Sequence, residues 1–328
     1  MLALALVPVS GAAVSESATN GNEVWREDFS TDPASRGWRV RGDANHFRWE
    51  ADTGRLAVTW DSRGPNAFLY LPLPTILTRA DSFRFRCSLV LDDIATETPD
   101  TTFQLAFGLI RQTDAFSPSS FRGAGIHPAW GPRNLVEFDY FPASSSIASS
   151  FSAVAVATNN TRWATLDLFP YRLETGVRYE IEVAHEAADS RIHLRVKRDG
   201  LPFVEGWVVI APNFGDFRLD AFSWTSYSGE HQPAGYGGQI LAHGYVDDLE
   251  LEFTPAPRAI LEPSGPGGPL RISLPSISGW VPVLERRVGD YPWEPVRADP
   301  ETGSDRWSFS DPDPPPTAAF YRVRLERP

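Results

Sequence analysis

The run Val136-Glu137-Phe138-Asp139-Tyr140-Phe141-Pro142 alternates in residue type, and a period of two marks a strand with two unlike faces. One face carries Glu137, Asp139 and Phe141; the other carries Val136, Phe138 and Tyr140. An unpaired carboxylate turned into an apolar core is costly, so the first set is expected to line a cleft and the second to face the core. Carboxylates at alternate positions can bind a ligand, be simple hydrogen-bonded groups of the face, or share acid/base work. The last use needs a second carboxylate roughly 5 Å from the first, which alternate strand positions can supply. Phe141 in that face would be an aromatic platform for an apolar ligand surface.

Two further segments could add contacts. Gly123 to Pro132 leads into this strand and carries Trp130, while Trp224 to Gly238 combines Trp224, Tyr227 and His231 with glycines. Loops of this kind often hold the function of a rigid scaffold. The expected ligand-binding set is therefore Glu137, Asp139, Phe141, Trp130, Trp224, Tyr227 and His231, with Trp130 and Tyr227 exposed.

Other chemistries lack their residues. The six histidines, at positions 46, 127, 185, 193, 231 and 243, form none of the close pairs typical of zinc sites. His185 and His193 are expected on solvent-facing strand positions. No nucleophile elbow, phosphate-binding loop or dinucleotide fingerprint occurs. Cys87 is the single cysteine, on the apolar side of an alternating run, and is expected to be a buried, inert thiol. The 30 Lys+Arg against 42 Asp+Glu leave a net charge of −12, with Lys197 the single lysine. Such a balance argues against nucleic acid and anionic bilayers as partners.

The elements that must position these residues are strands. Alternating runs recur from Glu23 to Phe253, with almost no helical pattern, which predicts a two-sheet antiparallel sandwich or jelly roll. About half of the chain's 29 prolines fall after Thr254. Residues 255–269 are therefore expected to be a Pro/Gly-rich linker, and 270–328 a small immunoglobulin- or fibronectin-like β-sandwich. Residues 1–22 hold a short apolar run, Met1 to Ala13, followed by small residues, the form in which a secretory signal ends. No later stretch reaches the ~18 apolar residues of a spanning helix. The chain is expected to be secreted or displayed at a cell surface.

The sections Trp25-Arg26-Glu27-Asp28-Phe29, Gly37-Trp38, Phe47 to Glu50 and Gly54-Arg55-Leu56, with the closing Gly244 to Leu251, resemble the ends of concanavalin A-like lectin/glucanase domains of the laminin-G/laminarinase-like type. The resemblance covers about 230 residues, 23–254, and implies an all-β jelly-roll sandwich. Against the laminarinase-like glycoside hydrolases, Glu137 matches the nucleophile and Asp139 the middle aspartate. Phe141 stands where the acid/base glutamate belongs, and the variant with one inserted residue would place it at Pro142. Asp61, Asp114 and Glu230 are the carboxylates that a displaced acid/base could use. The resemblance also implies a structural Ca2+ at Asp247, with backbone oxygens near Glu27 or Asp28 and near Gly54 as co-ligands.

The C-terminal section, with Phe309-Ser310-Asp311-Pro312 before Phe320-Tyr321-Arg322-Val323, resembles the small β domain that ends many exported planctomycete and verrucomicrobial proteins, an accessory module. The expected function is that of a secreted, non-catalytic, lectin-like protein whose partner is a polysaccharide or glycan. The alternatives are a laminarinase-like hydrolase with a displaced acid/base and a structural or adhesive surface protein.

Overall fold

The structure is a computed structural model. It describes residues 23–96, 104–117, 133–145, 148–159, 161–229 and 240–254, then 260–263, 270–275, 281–289, 292–296, 301–302, 306–311, 315 and 319–326. The chain divides into two compact units, one of them Asn22–Thr254 and the other including Pro255–Pro328.

In the larger unit the strands are β1 (Glu23–Glu27), β2 (Arg39–Arg41), β3 (Phe47–Glu50), β4 (Arg55–Asp61), β5 (Ala67–Thr78), β6 (Ser82–Thr96), β7 (Leu105–Ile110) and β8 (Leu135–Phe141). They continue as β9 (Ser150–Val156), β10 (Trp163–Leu168), β11 (Arg178–Glu186), β12 (Arg191–Arg198), β13 (Leu201–Val209), β14 (Arg218–Ser226) and β15 (Ile240–Thr254), with a short α-helix, α1 (Gln112–Ala115), between β7 and β8. An eight-stranded antiparallel sheet runs β13-β12-β11-β6-β15-β4-β3, with β1 also on β15, and a seven-stranded sheet runs β10-β9-β8-β7-β14-β5-β2.

The two sheets form the expected sandwich, and period-two alternation decides which side chains fill it. Phe85 and Cys87 of β6 face inward, and the Phe85 ring lies 6.1 Å from Phe107 of β7 and 5.5 Å from Phe222 of β14, both on the opposite sheet. Phe107 in turn contacts Phe138 of β8 at 5.1 Å. Cys87 is buried, and burial raises its thiol well above the ordinary range, so it is the inert thiol expected from its setting.

Strand β5 was not apparent from alternation because Pro72 and Pro74 interrupt it. β2 covers β5 only from Phe68 to Tyr70, so both prolines fall where that margin of the sheet is open, a place sheets tolerate them.

The second unit contains two small sheets. The first runs β16 (Ile260–Pro263), β17 (Leu270–Pro275), β21 (Arg306–Asp311), β20 (Glu301–Thr302); the second runs β19 (Glu294–Pro295), β18 (Val281–Val288), β22 (Ala319–Glu326). Ile260–Pro263, expected within the linker, instead pairs antiparallel with β17. Ile272, Leu284, Trp307, Phe309, Tyr321 and Val323 make the core. At its margin the buried Asp311 accepts from Arg286 Nη1 at 2.9 Å and from the Tyr321 hydroxyl at 2.6 Å.

Candidate functional site on the outer face of the seven-stranded sheet

The facing of β8 follows its sequence. Phe138 and Tyr140 turn inward and meet Phe151 of β9 at 5.9 and 5.7 Å, which leaves Glu137, Asp139 and Phe141 on the side away from the other sheet. In register, Glu137 lies between Gly108 and Val154, and Asp139 between Ala106 and Ser152. Ser223 and Thr225 of β14 continue the same rows. Small residues thus surround both carboxylates.

The expected open cleft does not reach them. Glu137 is 1% and Asp139 0% exposed, while Phe141 is half-buried. Such burial requires hydrogen bonds, and for Glu137 one comes from Tyr227, whose hydroxyl donates to Oε2 at 2.9 Å. Tyr227, expected to be exposed, is itself only 6% exposed and rests edge-on against Phe68, ring centroids 6.1 Å apart. Trp224 is corrected more sharply. Alternation along β14 puts Ser223 and Thr225 outside but Phe222 and Trp224 inside, so Trp224 is a fully buried core side chain 4.8 Å from Phe107. It is out of reach of any ligand on the outer face. Trp130 and His231 lie outside the described residues.

Residues that alternation had not singled out complete the face. Phe116, just after α1, touches Phe68 at 5.3 Å and Tyr70 at 4.9 Å, so an aromatic chain runs from Tyr70 through Phe116 and Phe68 to Tyr227 and Glu137. Tyr70 and Phe116 are part-exposed. The signal lay in Phe68-Leu69-Tyr70-Leu71, whose alternation becomes visible once β5 is accepted as a strand.

Two of the carboxylates considered as a displaced acid/base have their own partners. Asp61, on β4 of the other sheet, is ion-paired to Arg63 at 2.7 Å, which with its hydrogen bonds holds the carboxyl below its usual range. Asp114 accepts from Asn134 Nδ2 at 2.6 Å. Glu230 is outside the described residues. Tyr140 is no proton-transfer candidate, since burial raises its hydroxyl to about 12. His185, expected in solvent, is 1% exposed; it shares the inward face of β11 with Ile181 and Val183, and its Nδ1 lies 2.8 Å from the Asp81 carbonyl oxygen.

At the residues implied for Ca2+, β15 bulges between Asp247 and Glu250, and Asp248 adopts φ 51°. Burial is the largest influence raising the half-buried Asp247 carboxyl, with Asp248 and Asp28 adding repulsion. Asp28 is held below its usual range, chiefly by the Ser30 hydroxyl. Gly54, at φ 61°, stands beside Phe29 and Ser30, where a Cβ would lie 3.5 Å from Ser30 Cα. Asp28 and Asp248 line a cavity of about 510 Å³ together with Arg26, Arg36 and Arg178. Among the described residues no group of three or more His, Cys, Asp or Glu side chains is arranged to hold a metal ion. No described helix is long and apolar enough to cross a membrane.

No family model matches the chain, and no curated protein matches it. Solved structures do. The lectin UEA-II complexed with galactose aligns with a TM-score of 0.48 at 11% identity, covering 71% of this chain and 99% of that one. Lectin II from Ulex europaeus gives 0.47 at 12%, covering 73% and 100%. Alginate lyase Aly36B gives 0.38 at 9%, covering 65% and 86%. At such identities the similarity concerns the course of the strands alone.

Proposed function

We propose that the chain is a secreted, non-catalytic carbohydrate-binding protein whose glycan lies against the outer face of the seven-stranded sheet. The observation that carries this reading is the arrangement around Glu137. A buried carboxylate anchors the Tyr227 hydroxyl among small residues, and the half-buried Phe141 and the part-exposed Tyr70 and Phe116 occupy the same face. Rings present apolar faces to sugar rings while fixed polar groups orient hydroxyls. Phe141 supplies no proton to a leaving oxygen, which supports binding over hydrolysis.

The burial of Glu137 and Asp139 changes how the site is tested. Glu137→Gln and Asp139→Asn would disturb folding as well as binding, so the rim residue Phe141 is the better probe. A glycan array combined with a reducing-sugar assay is expected to give binding without turnover, and Phe141→Ala should lower affinity by about tenfold with the melting temperature preserved. Release of sugar would overturn the non-catalytic assignment, and silence in both assays would favour adhesion.

A Ca2+ at Asp247 with Asp28 belongs to the same proposal. A divalent cation would relieve the like-charge burial that raises Asp247. A ligand bound only by the folded state adds about 2.7 kcal/mol at 100 times its Kd, so chelator should lower the melting temperature of the wild type and leave Asp247→Ala unmoved. A wild-type melt indifferent to chelator and to added Ca2+ would remove the ion from the proposal.

A further inference from the structure

We propose that the β2 margin of this outer face selects acidic polysaccharides of the uronate class, with Arg39 and Arg41 reading the sugar carboxylates. The proposal rests on the glycan-binding reading above and narrows it to one ligand chemistry.

Arginines elsewhere in the larger unit are mostly committed to acids: Arg48 and Arg55 to Glu50, Arg63 to Asp61, Arg84 to Glu252. Arg39 and Arg41 differ. Among the described residues their side chains have neither ion-pair nor hydrogen-bond partners, and both are exposed. An unpaired exposed guanidinium is unremarkable alone, but these two share a face with the aromatic chain. Arg39 is the register partner of Tyr70 and Arg41 of Phe68, so both side chains leave β2 on the outer side, beside the rings that Phe116 joins. Val40 between them pairs with the core residue Leu69 and takes the other side. β2 ends the seven-stranded order, so among the described strands nothing pairs its far flank.

Two positions apart on a strand, the arginines stand about 7 Å from each other along the chain. A ligand that meets them and the neighbouring rings together must offer apolar ring faces and repeated anionic groups, as a uronate chain does. The guanidinium fork matches a planar carboxylate in a bidentate pair. The net charge of −12 opposes any anion at long range, yet a Debye length of about 8 Å at physiological salt screens distant acids and leaves contact pairs largely intact. That balance favours one charge per sugar over densely sulfated chains.

The experiment uses the full chain and measures affinity at physiological salt for polygalacturonate and alginate, each beside its carboxyl-reduced neutral counterpart, with dextran sulfate as the sulfate arm. An acidic polymer should bind at least about tenfold tighter than its reduced form. The Arg39→Gln/Arg41→Gln double variant should lose that preference while keeping the wild-type melting temperature and its affinity for the reduced polymer. Equal binding of acidic and reduced polymers overturns the ligand class and leaves glycan binding standing. Preference for dextran sulfate overturns the carboxylate assignment, and an undiminished preference in the double variant overturns the role of the two arginines. Binding of none of these polymers, with neutral glycans bound on the array, also overturns the uronate assignment; silence toward every glycan overturns the underlying reading as well.

Discussion

The outer faces of the two sheets solve the problem of charge in opposite ways. On the eight-stranded sheet, one row of register partners crosses six strands as Glu205, Arg195, Glu182, Arg86, Glu250 and Arg26, alternating in sign at every step. Ion pairs follow the row: Arg195 to Glu182 at 2.9 Å, Arg86 to Glu250 at 3.3 Å, Arg26 to Glu250 at 3.0 Å. Such a row is satisfied locally. On the seven-stranded sheet the carboxylates are buried among small residues, rings extend toward one margin, and among the described residues the guanidiniums at that margin have no ion-pair or hydrogen-bond partner. Unspent hydrogen-bonding capacity beside apolar rings is what a polar ligand requires, and the β2 margin of the second face offers it.

The comparison breaks most readily at Gly108. A Cβ there would stand 2.5 Å from Glu137 Cα and 2.8 Å from its Cβ, so the backbones of β7 and β8 would have to separate. Gly108→Ala should cost about 3 kcal/mol in denaturant unfolding, whereas Glu205→Ala on the other face should cost under ~0.5 kcal/mol. Equal small costs would mean that the buried face is not closely packed. Next in size is Tyr227→Phe, which removes a donor from a buried carboxylate and should cost about 2 kcal/mol. In a cycle with Glu137→Gln the two changes should couple by more than ~1 kcal/mol; additivity would dissolve the pair.

These residues also show what was legible in the chain. The alternation of Glu137, Asp139 and Phe141 against Phe138 and Tyr140 gave the facing of β8, because period two is a property of the strand alone. It could not give the depth of burial, which depends on groups far away in sequence, Tyr227 among them. Trp224 reads locally as part of the loop that follows; counted with Phe222 and against Ser223 and Thr225, it falls inside. His185 sits on a strand, where parity decides its side: it shares that of Ile181 and Val183 and so turns inward. β5 was hidden by two prolines that are harmless only because β2 is short, and the β2 arginines carry no local signal at all.

His185 sharpens the comparison from the inner side of the eight-stranded sheet. Its ring lies 5.1 Å from Phe83 and 5.4 Å from Phe217, its buried Nε2 has no hydrogen-bond partner among the described residues, and burial, with a smaller contribution from Arg79, lowers its pKa. The folded chain therefore keeps the ring neutral while the unfolded chain takes up a proton near pH 6.5. Its contribution to stability is complete above that pH and lost as pH falls through the lowered folded value. Between pH 7 and 5 the wild type should lose more stability than His185→Gln. Parallel pH curves for the two would mean that the ring is solvated.

The smallest effect expected belongs to the charged row itself. Arg195 and Glu182 are 2.9 Å apart, but the arginine side chain is 55% exposed, so water competes for both partners and ordering two long side chains costs entropy. A double-mutant cycle with Arg195→Ala and Glu182→Ala should give a coupling of about 0.5 kcal/mol that shrinks toward zero in 1 M salt, where the Debye length is about 3 Å. Glu250 tests whether the row acts as a network, because Arg26, Arg84 and Arg86 all lie within 4 Å of it and its side chain is only 15% exposed. If the row is merely a solvated surface, Glu250→Gln costs no more than the isolated pair. A larger, salt-resistant cost would mean that these charges brace the sheet, and the two outer faces would then differ in what their charges do as well as in whether they are satisfied.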